Sequence, residues 1–104
     1  MGRDFIIILN KKYSVKHLDE MIEEVVDIET KYKISNKNHI IISRNANIMF
    51  DVEKEIIKGR IYEKSGEKEK KIIENMIKKI GKENMFVHFY GKENFLSTNN
   101  INII

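Results

Sequence analysis

Apolar residues run consecutively, without polar alternation, in three short segments: Phe5-Ile6-Ile7-Ile8-Leu9, His39-Ile40-Ile41-Ile42 and Met85-Phe86-Val87-His88-Phe89-Tyr90. A strand with one wet face alternates apolar and polar side chains, whereas an unbroken run asks for cover on both sides. The pattern predicts strands over about 4–10, 39–44 and 85–90, rich in the β-branched isoleucine suited to central positions.

Between them the period changes. Ser14 fits an N-cap. Val15, Leu18, Met21, Ile22, Val25, Ile28 and Tyr32 then recur every three or four residues, predicting a helix to about Lys33. Lys31 and Lys33 would complement the C-terminal end of its dipole, and Ser35-Asn36-Lys37-Asn38 reads as a turn. A second helix is expected over about 67–80, with Ile73, Met76, Ile77 and Ile80 on its buried stripe and Gly81 as its stop. Residues 47–64 show period two: Ile48, Phe50 and Val52, then Ile57, Gly59 and Ile61. This predicts a hairpin turning near Glu53-Lys54-Glu55. A helix over 51–58 is the competing reading, disfavoured by Gly59 and the pair Ile56-Ile57.

The order of elements predicts an α+β fold: a two-layer βαββαβ ferredoxin-like sandwich with a mixed sheet and both helices on one face. A right-handed crossover would link the first two strands if they are parallel. The alternative is a three-layer α/β domain with one helix on each sheet face. The chain reads as one domain, 1–104, in which 92–104 is a docked C-terminal extension. Its final Ile101-Asn102-Ile103-Ile104 would add an edge strand or pair with a neighbouring molecule. Two helices cannot cover two sheet faces in the first arrangement, so a second copy or a partner protein is expected on the other.

Composition narrows the classes. Cysteine is absent, which excludes disulfides and thiolate metal sites. No signal peptide or run of about 18 apolar residues is present, so a soluble cytoplasmic protein without membrane contact is expected. The net charge of +3 comes from lysine; arginine occurs only at Arg3, Arg44 and Arg60. Isoleucine, lysine, asparagine and glutamate all have AT-rich codons, and a coding bias toward an AT-rich genome accounts for the lysines without a polyanionic ligand. The two predicted helical segments carry net charges of −3 (14–33) and +3 (66–82), which suits helices lying side by side.

Candidate chemistry is sparse. Glu20, Glu23, Glu24 and Asp27 would share one side of the first helix, a row able to meet a hard cation or a basic partner, though a solvated helix face explains it as simply. His88 would project with Phe86 and Tyr90, but general acid–base work needs an orienting carboxylate that the adjacent sequence lacks. His17 and His39 look structural or exposed, and three scattered histidines do not make a zinc site. Asp51, Glu53 and Lys54 have the wrong spacing for a metal-dependent nuclease strand. Glu69-Lys70-Lys71 has the spacing but opens a helix. The isolated glycines form no phosphate loop and no serine has the flanking glycines of a nucleophile elbow. Lys58-Gly59-Arg60-Ile61-Tyr62 resembles the start of the basic-glycine strand of RNA-recognition modules, yet Arg60 stands where an aromatic belongs. No catalytic residue, metal site or cofactor is assigned.

The expectation is a non-catalytic protein-interaction module (adaptor, inhibitor or regulatory subunit) that self-associates as a homodimer or binds a protein partner. Arg44, Lys58, Arg60, Tyr62, Phe86, His88 and Tyr90 are its candidate binding residues. The alternative is a nucleic-acid-binding protein in which Lys58, Arg60, Lys68, Lys70, Lys71, Lys78 and Lys79 form a basic surface, with Tyr62 or Tyr90 for stacking. A small enzyme or nucleotide binder centred on His88 and Arg44 is the third reading.

Overall fold

The period-two segment from Ile48 to Ile61 folds as the expected hairpin and lies at the centre of the sheet. In the computed structural model, which describes residues 3–35, 37–62 and 66–90, the elements are β1 (Arg3–Leu9), α1 (Val15–Glu23), β2 (Ile28–Lys33), β3 (Asn38–Ser43), β4 (Ile48–Glu53), β5 (Ile56–Ile61), α2 (Glu67–Ile80), a 3-10 turn (Lys82–Asn84) and β6 (Met85–Tyr90). The expected C-terminal extension and extra strand lie outside the described residues.

The six strands form one sheet in the order β2-β3-β4-β5-β1-β6, and each neighbouring pair is antiparallel. Successive hairpins build β2 to β5. β1 then adds beside β5, with Phe5 opposite Gly59, and β6 adds beside β1, with Phe5 opposite Phe89. Neither the ferredoxin-like βαββαβ sandwich nor the version with one helix on each face is found. The mixed sheet and the parallel crossover fail with them, because β4 and β5 separate β1 from β3.

The first predicted helix is cut short, and the missing strand comes from its second half. α1 ends at Glu23, and Ile28–Lys33 forms edge strand β2 instead. The 3- and 4-residue spacing through Ile28 and Tyr32 is real, but Val26, Ile28, Thr30 and Tyr32 also fall on alternate positions. Three of those four are β-branched and one aromatic, and hairpin pairing with β3 decides for the strand. Lys31 and Lys33 therefore sit on an edge strand, not at a helix end. The proposed carboxylate row is likewise dispersed: Asp27 leaves the helix and faces Arg44 at 3.7 Å, Glu23 bonds Lys31, and Glu24 pairs with Lys79 of α2.

Elsewhere local chemistry acts as the sequence suggests. Ser14 Oγ accepts the His17 amide at 3.1 Å and caps α1. Gly81, at φ 98°, stops α2, and its amide donates to the Ile77 carbonyl. The two-residue β4–β5 turn places Glu55 at φ 66°, and the Glu55 carbonyl accepts the Leu9 amide at 2.9 Å, tying the turn to β1.

Both helices pack on one face. Leu18, Met21 and Ile22 of α1 and Ile73, Met76, Ile77 and Ile80 of α2 meet Phe5, Ile7, Leu9, Ile41, Phe50, Val52, Ile57, Met85, Val87 and Phe89 of the sheet. Each such side chain contributes about 1.5–3 kcal/mol on burial. Strand side chains alternate between faces, so Ile6, Ile8, Ile42, Met49 and Ile56 point to the opposite face. There they are only partly buried, and no described element lies over them.

Candidate binding surface on the helix-free sheet face

The register arranges the helix-free face in three cross-strand rows. The central row reads Tyr32-Ile40-Asp51-Lys58-Ile6-His88 from β2 to β6. On one side of it lies Thr30-Ile42-Met49-Arg60-Asp4-Tyr90. On the other lies Asn38-Glu53-Ile56-Ile8-Phe86, from β3 to β6. Isoleucines flank a charged centre, and aromatic residues stand toward both ends: Tyr32, Phe86 and Tyr90 are 45, 40 and 57% exposed.

Five of the seven candidate residues therefore share one face: Lys58, Arg60, Phe86, His88 and Tyr90. The His88 and Tyr90 rings meet edge to face, 4.8 Å between centroids. Tyr62 follows the end of β5, exposed, with its amide donating to the Asn47 carbonyl, and it adds to the field at Arg60. Arg44 is elsewhere, in the β3–β4 loop beside Asp27. His88 and Arg44 thus do not form a common centre.

The charges on the face are partnered within it. Arg60 donates from Nε to Asp4 Oδ1 at 2.5 Å and from a terminal nitrogen to Asp4 Oδ2 at 3.1 Å. That fork holds the Asp4 carboxyl below its ordinary range and the guanidinium above its own. Lys58 reaches Glu53 at 3.3 Å, and Asn38 donates to Asp51 at 3.1 Å. A shallow depression of about 270 Å³ lies between Met49, Asp51, Lys58, Arg60, Asp4 and Tyr90, with the side-chain-free Gly59 at its floor.

The edge strand β2 bears Glu29, Lys31 and Lys33, and a register shift interrupts its pairing between Ile28 and Thr30. Charge and a bulge on a short edge both discourage strand addition.

A second polar cluster was missed in the sequence. Asp19 of α1 is 2% exposed, and its Oδ2 lies 2.5 Å from His39 Nδ1 and 3.4 Å from Lys31 Nζ, while Lys31 also donates to Glu23 at 2.7 Å. These bonds raise the Lys31 pKa, with the Glu23 hydrogen bond the leading cause. Asp19 Oδ1 is buried and has no hydrogen-bond partner among the described residues. The cluster pins the β2–β3 hairpin to α1. No signal could have revealed it while β2 was read as helix, because Lys31 and His39 approach Asp19 only once β2 folds back along β3.

Among the described residues no group of three or more histidine, aspartate or glutamate side chains is placed to hold a metal ion. No helix among them is long and apolar enough to cross a membrane. Comparison with protein-family models, with curated proteins and with solved structures found no match.

Proposed function

We propose that this protein is a non-catalytic protein-interaction module and that the helix-free sheet face is its recognition surface. The observation that carries the reading is a face of partly buried isoleucines and exposed aromatics that no described element covers. Isoleucine and aromatic surface gathered on one face, around charges that are already paired, offers a docking site. An adaptor, inhibitor or regulatory subunit needs such a surface and no catalytic group.

The electrostatics favour protein over nucleic acid. Lys58 and Arg60 lie on the helix-free face, whereas the lysines of α2 lie on the helical layer behind the sheet, so the basic residues do not form one track. Asp4, Asp51 and Glu53 stand among the cations of the face and would repel phosphates.

The test compares the wild-type chain with Ile8→Lys and Phe86→Lys, neighbours on this face, after circular dichroism and thermal melting have shown each variant folded. A protein ligand, whether a second copy or another chain, is expected to bind the wild type and to be lost from both variants. Binding that ignores both substitutions, or tight and salt-sensitive binding to single-stranded oligonucleotides in anisotropy titrations, would overturn the reading.

A further inference from the structure

Resting on that reading, we infer that the occupant of the helix-free face is a second copy of this chain, stacked face to face about a two-fold axis along the strands between β4 and β5. The sheet order β2-β3-β4-β5-β1-β6 has its midpoint there. Rotation about that line sets β4 over the partner's β5, β3 over the partner's β1 and β2 over the partner's β6.

The central row is chemically palindromic about the same line. Read outward from the midpoint, one side gives Asp51, Ile40 and Tyr32, and the other gives Lys58, Ile6 and His88. The rotation therefore opposes acid to base, isoleucine to isoleucine and aromatic to aromatic ring, each contact occurring twice. An isologous interface requires this self-complementarity, because residue i meets j of its mate while j meets i. The charges lie near the axis, where Asp51 keeps its Asn38 hydrogen bond and Lys58 its Glu53 pair, and the rotation adds an opposite charge from the partner to each as water is removed.

The flanking rows are less regular. The same rotation sets Met49 along the aliphatic stem of the partner's Arg60. It also sets Ile42 against the partner's Asp4, Glu53 against the partner's Ile56 and Asn38 against the partner's Ile8, so the complementarity resides in the central row. Strand spacing of about 4.8 Å and a rise of about 3.3 Å per residue give six strands a projected footprint of about 500 Å². That is at the small end of specific interfaces, where association is weak and reversible. The bulged, charged β2 edge disfavours the competing route of strand addition there.

Reciprocal charge reversal on the full chain tests the pairing. Asp51→Lys and Lys58→Asp are each examined alone, then mixed in equal amounts, by sedimentation velocity and light scattering across micromolar concentrations. The wild type is expected to dimerise reversibly. Each single variant is expected to lose at least about tenfold in affinity, because two like-charge contacts replace two opposite ones. The mixture is expected to regain the dimer, since the lysine introduced into one chain then faces the aspartate introduced into the other, and the native Asp51 and Lys58 left in the two chains face each other as before.

The mixed sample separates this contact from intrachain effects. Asp51→Lys also forfeits the Asn38 hydrogen bond and Lys58→Asp the Glu53 pair, and mixing cannot repair either. A wild type that stays monomeric, a dimer indifferent to both substitutions, or variants that weaken without rescue on mixing would each overturn the inference. A monomer that still binds another protein through Ile8 and Phe86 would leave the broader function standing while removing self-pairing. Loss of both would remove the two together.

Discussion

The Phe5 ring fills the space that a side chain at position 59 would need. A Cβ built on Gly59 would lie 2.2 Å from Phe5 Cζ and 2.6 and 2.9 Å from its two Cε atoms. The two residues are cross-strand partners at the β1–β5 junction. The ring continues edge-on to Phe50 at 6.1 Å and tilts against Phe89 at 5.8 Å. The glycine thus lets one aromatic residue bridge β4, β5, β1 and β6 on the core face. Gly59→Ala is expected to destabilise the fold by about 1–3 kcal/mol in urea titration, through overpacking. Phe5→Leu in that background is expected to cost less than in the wild type. Additive losses would show that the ring is not the obstacle.

The buried Asp19 carboxylate depends on His39 for its shortest hydrogen bond. His39→Ala is expected to cost about 1.5–3 kcal/mol, the range for a hydrogen bond to a charged group whose partner is left buried. The loss should be local first. Amides of the β2–β3 hairpin are expected to exchange faster than those of β4 and β5 in hydrogen-exchange measurements. Uniform acceleration across the sheet would contradict a clasp confined to α1, β2 and β3.

Much of the fold was legible where one short-range signal dominated. The β4–β5 hairpin followed from Ile48, Phe50 and Val52 against Ile57 and Ile61, α2 from its isoleucine stripe and Gly81, and the α1 start from Ser14. The segment 24–33 was not legible, because Ile28 and Tyr32 satisfy a helical spacing and an alternating one at once. Only pairing with β3, a non-local contact, separates them. That single misassignment changed the strand count, the sheet order and the topology together. The helix-free face was legible in part. Phe86, His88 and Tyr90 were legible as one strand face and Lys58 and Arg60 as one segment, and antiparallel register through β1 brings the two sets together. Arg44 was placed by charge alone and lies in the β3–β4 loop with Asp27.

Two ion-paired groups give opposite limbs of a pH–stability profile. Asp4 has a carboxyl pKa lowered from its ordinary 3.8, chiefly by the Arg60 hydrogen bond. Its contribution is complete above that ordinary value and is lost as pH falls through the lower, folded one. Lys31 is raised from 10.5, chiefly by Glu23. Its contribution is complete below 10.5 and is lost as pH rises through the higher, folded value. The stability difference between wild type and Asp4→Asn, followed by urea denaturation, is expected to shrink as pH falls below about 4. The corresponding difference for Lys31→Met is expected to shrink only on the alkaline side, above about pH 10. Both side chains are more than a third exposed, so each effect is small and is expected to weaken in high salt.

Glu55 occupies the left-handed region at φ 66° in a two-residue turn, a conformation that costs an ordinary L-residue about 1–2 kcal/mol. Glycine adopts it without a Cβ penalty but loses more backbone entropy on folding, and asparagine tolerates it with less entropic loss. Glu55→Gly is therefore expected to stabilise the protein by about 0.5 kcal/mol and Glu55→Asn by about 0.5–1 kcal/mol, read from the urea midpoint at unchanged slope. The turn carbonyl that accepts the Leu9 amide belongs to the backbone, so neither substitution removes it. β-Branched Glu55→Val is expected to destabilise, since it keeps the strain and adds crowding at Cβ. A stabilising valine would mean that the left-handed turn is not the conformation populated in solution.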